Sequence, residues 1–219
     1  IAFSYQNVLA PASAFQEVLA HGEYLKTTQG GEFLYDSGYQ LLVGEGAGAQ
    51  KDLTLGLTAA LLVLLCLAGV YSLEYQTGAD RLLRASYKGR GYTFWRKFFV
   101  GLLVVTAVYL ITYAPYYYNV LSTYGTRGIH APACSMEALS GVSISIIGYL
   151  CVVGAVRFLS LICEMVLLYF LSSRLKSLAA SLLAGFVVFV APLLLVLLRV
   201  DSFRYVLLNP FLIGNGFWR

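Results

Sequence analysis

Three long uncharged runs set the limits on what this chain can fold into. Leu53–Leu73, Phe98–Gly125 and Ser177–Leu198 contain no Asp, Glu, Lys, Arg or His. Each reaches the roughly 20 apolar residues that a helix needs to cross the hydrocarbon core of a bilayer. A fourth stretch, 138–173, is broken only by Arg157 and Glu164. Charged residues make up 12% of the 219, about half the share of about 25% found in soluble domains. The expectation is an all-α, polytopic membrane protein with about four transmembrane helices, near 53–72, 98–118, 142–173 and 177–198. As one helix from about 142, the third would be about 48 Å long against a core of about 30 Å. It must therefore tilt, kink or begin as an interfacial segment.

Charge orients these spans. Between Glu74 and Lys97 stand Arg81, Arg84, Lys88, Arg90, Arg96 and Lys97, a density that places loop 73–97 in the cytoplasm under the positive-inside rule. The turn at 172–176, with Arg174 and Lys176, is placed inside with it. Segments 1–52 and 199–219 then fall outside. Residues 1–52 hold two basic and six acidic side chains, and the remainder thirteen and five. That asymmetry reads as membrane topology and not as a nucleic-acid surface.

Segment 1–52 is expected to carry a short helix over Pro11–Ala20, ended by Gly22, and a flexible glycine lead at Gly44–Gly48. An external segment that starts at Ile1 with no signal peptide or span before it suggests a further transmembrane helix upstream. The abrupt Asn209–Gly214 end suggests one downstream.

Catalytic chemistry finds little footing. Cys66, Cys134, Cys151 and Cys163 form no Cys-x-x-Cys pair, His21 and His130 are isolated, and no metal-ligand spacing is present. Gly141-Val-Ser143-Ile lacks the second glycine of an intramembrane serine protease motif, and no histidine follows in a later span. No Gly-x-x-x-x-Gly-Lys-Ser/Thr loop exists to cradle nucleotide phosphates. The chain itself is expected to bind no metal or cofactor.

The cytoplasmic loop is more specific. Read as a helix, Leu73–Lys88 places Glu74, Thr77, Arg81, Arg84 and Lys88 on one polar stripe, with Leu83 and Tyr87 opposite. Gly89-Arg90-Gly91 would end it, and Trp95 would sit at the interface before the next span. Glu74, Gly78, Leu82, Leu83, Ser86, Gly89, Arg90 and Lys97 together resemble the loop after the second helix of ABC transporter permeases of the type-two, exporter class. The resemblance covers most of 53–198. It implies a permease subunit whose loop docks a separate cytoplasmic ATP-binding-cassette ATPase, with ATP and magnesium on that partner. It also implies a second permease half, homo- or heterodimeric, and a bacterial plasma membrane. Glu74, Gly78, Arg81, Arg84, Arg90 and Lys97 would form the coupling region.

Two intramembrane charges remain. Arg157 and Glu164 are seven residues apart, on one helix face but about 10 Å apart along the axis, too far for a direct pair. They are candidates for an intramembrane polar site. The plainer account is that Arg157 snorkels or pairs with another span, and that Glu164 lies near the inner interface. Tyr113-Ala-Pro-Tyr-Tyr-Tyr118 reads as an interfacial aromatic belt with Pro115 ending or bending the span, and Pro192 as a kink in the last span. An ion-coupled secondary transporter, or a sensor or anchor subunit without an ATPase, is the rival function.

Overall fold

The computed structural model describes residues 15–16, 18–26, 37–44, 47–79, 89–126, 128–136, 139, 142–203, 205–206 and 208–212. Among them are four helices long and apolar enough to cross a membrane, and no strand. The chain is an all-α, polytopic integral membrane protein.

The first span is Ala47–Leu67 continued by Gly69–Thr77, with a break at Ala68. Gly69 removes a side chain at the bend, and the Ser72 hydroxyl bonds back to the Ala68 carbonyl at 3.2 Å, a habit that bends helices. The second is Gly89–Tyr124, 36 residues long. Pro115 lies inside it and neither ends nor interrupts it. Neighbouring helices and local adjustment make such prolines tolerable in membranes. The third is Ile146–Leu175, one helix about 45 Å long at about 1.5 Å per residue. Its start is set by Ser145, whose hydroxyl accepts from the Gly148 N–H at 3.3 Å. Residues 142–145, expected in the span, lie before it. There the Ala133 N–H donates to the Ile144 carbonyl at 2.8 Å and the Ile146 N–H to the Ala131 carbonyl at 3.0 Å.

Lys176, left-handed at φ 54°, turns the chain into the fourth span. That span comprises Leu178–Gly185, a π turn at Phe186–Val190, and Ala191–Leu197. Pro192 accounts for the π turn. It has no N–H for the carbonyl one turn back, and a wider turn relieves the clash of its ring. All four spans gather Arg96, Lys97, Arg174 and Lys176 at one end, here termed the basic end.

Two apolar cores are stacked along the bundle. The larger runs from Leu53 to Ala68 on the first span, through Val105 and Tyr113, Leu161–Tyr169, and Phe189–Leu193. Leu212, from the short helix Asn209–Leu212, joins it beside Gly56, so that helix packs back into the bundle. The smaller core unites Tyr39, Leu42 and Val43 with Val120, Met136, Ile146, Tyr149 and Val153 at the end remote from the basic residues.

Of the expected glycine lead, Glu45 and Gly46 lie outside the described residues, while Gly44 and Gly48 are held in place. Gly44, at φ 81°, follows the helix Ser37–Val43, and a Cβ at position 48 would lie 2.6 Å from the Leu41 carbonyl oxygen, so that position takes glycine. The early helix also departs from expectation. It runs through Gly22 to residue 26, while 11–14 lie outside the described residues.

Candidate functional site

Two polar constellations interrupt the apolar packing. The first ties the helices together at the basic end. A helix break strands the N–H groups of the turn that follows it, and here the third span supplies their acceptor. Ser172 Oγ accepts from the backbone N–H groups of Tyr71 and Ser72 at 3.2 and 2.9 Å. Lys97, on the second span, forms an ion pair with Glu74. Its ammonium lies 3.9 Å from the centroid of the Tyr71 ring and 3.5 Å from the Val70 carbonyl oxygen. The Tyr169 hydroxyl donates to the Lys97 carbonyl at 2.9 Å, and the Tyr71 and Tyr169 rings meet edge to face at 5.5 Å. With side chains 14% and 27% exposed, Lys97 and Glu74 are partly desolvated, which strengthens their attraction over that of a surface pair.

Gly78 follows at φ 73° and ends the helix Gly69–Thr77, its N–H reaching the Tyr75 carbonyl at 3.4 Å. A left-handed C-terminal residue of this kind is normally glycine. The expected continuous helix over 73–88 is therefore interrupted at Gly78, and 80–88, with the rest of the stripe, lie outside the described residues. Gly89-Arg90-Gly91 lies in the opening turn of the second span. Arg81 and Arg84 lie outside the described residues. Arg90 lies in the first turn of Gly89–Tyr124, and its side chain is also outside them.

The second constellation sits between the two apolar cores. Arg157, 1% exposed, pairs with Asp52 of the first span, itself 2% exposed. Its other terminal nitrogen donates to the Tyr117 hydroxyl at 2.8 Å, and its guanidinium carbon lies 5.2 Å from the Tyr113 ring centroid. Of the two plain accounts of Arg157, pairing with another span is the one realised. Asp52, expected in the external segment, is instead six residues into the first membrane helix.

The aromatic cluster is divided accordingly. Tyr118 faces outward at 73% exposure, as a belt residue would, while Tyr113, at 1%, packs inward on Arg157. Pro115 keeps the helix going, so i, i+4 spacing puts Tyr113 and Tyr117 on one inward stripe. Glu164 does not pair with Arg157. It is fully buried, and neither carboxyl oxygen has a hydrogen-bond partner among the described residues.

Sequence reasoning missed Asp52, Tyr113, Tyr117, Ser172 and Tyr169. A signal for Asp52 existed: it is the last charge before Leu53–Leu73, and a buried Arg157 demands a counter-ion from some span. For Ser172 there was none, because its role depends on a break in another helix.

No family model, curated protein or solved structure matches the chain. Function is argued from the site itself.

Proposed function

We propose that the chain is the membrane-spanning permease subunit of an ATP-driven ABC transporter, of the exporter class. The observation that carries this reading is the knot at the root of the basic loop. Glu74 and Lys97 bracket residues 78–91 and are paired to each other, while Ser172 and Tyr169 bind the same root to the third span. A motor pushing on that loop would act on three spans at once. In this reading the basic end faces the cytoplasm and the loop, with Arg81, Arg84 and Arg90, docks a separate ATPase that holds ATP and magnesium. A second permease half completes the pathway across the bilayer.

The test is gentle purification of the full-length protein from native membranes, with mass spectrometry of bound chains and an assay of vanadate-sensitive ATP hydrolysis. A stoichiometric nucleotide-binding partner is expected, and reversing Arg81 and Arg84 to Glu is expected to release it. A clean preparation without such a partner, repeated across detergents, refutes the proposal. It would favour an ion-coupled carrier built on the buried Asp52–Arg157 pair and Glu164.

A further inference from the structure

Glu164 lies near the middle of the Ile146–Leu175 helix with no accessible surface and no partner for either carboxyl oxygen among the described residues. One turn before it on the same helix, the Ser160 hydroxyl is turned back to the Val156 carbonyl at 2.9 Å. Its depth follows from a tight layer one turn away. There Gly185 faces Leu64 and Leu168 with no room for a Cβ. The third and fourth spans run antiparallel from the turn at 176–177. Four residues back from Leu168 and four on from Gly185 therefore bring Glu164 level with Phe189.

At that level the fourth span takes its π turn, Phe186–Val190, with Phe189 and Val190 buried. Pro192 follows and offers no N–H to the Val188 carbonyl. Such turns inside helices recur at functional sites. On the first span the same layer holds Ala59, Ala60 and Val63, all at 0% exposure. An ionised carboxylate enclosed this way has no donor to replace water, whereas a neutral acid needs far less.

The other titratable groups on the packed elements are engaged or distant. Asp52 and Arg157 hold each other about two turns, about 10 Å, along the axis. Glu74 and Lys97 are paired at the basic end, with Tyr71 beneath Lys97 and Tyr75 5.7 Å from Lys176. Tyr109 donates to the Gly154 carbonyl at 3.2 Å, Tyr169 donates to that of Lys97, and Tyr113 and Tyr117 face Arg157. Cys66 and Cys163 are exposed, and 178–197 holds no titratable residue.

We propose that Glu164 is a proton-binding site inside the bundle: the packed conformation holds the carboxyl as the neutral acid, and the proton leaves when the fourth span separates at its π turn and admits water. The proposal stands apart from the permease reading, since it needs no ATPase.

The experiment compares reversible unfolding of the full-length protein and its Glu164→Gln variant in bicelles across pH. The amide has nearly the shape of the neutral acid and takes up no proton. If the native state holds one proton more than the unfolded state, native stability falls as pH rises. The unfolding constant of wild type relative to the variant should then rise, by at most about tenfold per pH unit, as pH climbs above the ordinary carboxylate range of about 4–5. Effects of other groups cancel in that ratio. A ratio flat with pH overturns the proposal, because both states then bind the same number of protons. Should the amide variant not accumulate, Glu164→Met, apolar and of similar length, gives the same comparison.

Discussion

Removing Asp52 should reveal how far the bundle depends on its buried ion pair. In Asp52→Leu the guanidinium of Arg157, 1% exposed, loses its counter-ion and keeps the Tyr117 hydroxyl at 2.8 Å and the face of Tyr113. Breaking a buried pair by deleting one partner costs about 3–5 kcal/mol, most of it the penalty of an uncompensated charge. Replacing both partners with apolar side chains of similar size is often neutral or better. The double variant Asp52→Leu/Arg157→Met is therefore expected within about 1 kcal/mol of wild type, although it removes more polar groups than the single change. The double variant should then be about 2–4 kcal/mol more stable than Asp52→Leu alone, the non-additivity expected of residues in contact. Equilibrium unfolding in bicelles reads all four corners. A cost for Asp52→Leu below about 1 kcal/mol, or a double variant no more stable than the single, would refute the reasoning.

Two further outcomes follow from the basic end. Ser172→Ala strands the N–H groups of Tyr71 and Ser72 and should cost about 1–3 kcal/mol, measured by the same unfolding assay. Ser173→Ala, whose exposed hydroxyl only caps the Phe170 carbonyl at 2.7 Å, should stay within about 0.5 kcal/mol. Gly101→Ala would drive a Cβ into the Tyr169 hydroxyl and to 2.7 Å from Met165 Sδ, for an overpacking cost of about 1–3 kcal/mol. Adding Tyr169→Phe removes the atom that is struck, so the double variant should lose less than the sum of the two single losses.

The division between what was legible and what was not falls along a physical line. Fold class was legible because hydrocarbon imposes a one-dimensional rule: about 20 apolar residues with their backbone bonds closed internally make a span. The runs at 53–73, 98–125 and 177–198 satisfy it residue by residue. The basic clusters were legible for a similar reason, since charge at a span's end is a property of a short segment. Arg157 and Glu164 could be singled out because an ionisable residue within apolar sequence is conspicuous wherever the helix sits.

What no segment carries is which side chains meet. Arg157 takes its counter-ion from a residue 105 positions earlier, and Ser172 satisfies backbone groups 100 positions away. Both contacts require helices that are parallel and in a particular register, and register is fixed by packing. The layer of Leu64, Leu168 and Gly185 sets it for three spans, and no local pattern encodes it. Tyr113 and Tyr118 share one motif and face opposite environments for the same reason. Composition and charge determined that four helices cross a membrane. Only the packed bundle decided that Asp52 answers Arg157 and that Glu164 is left unanswered.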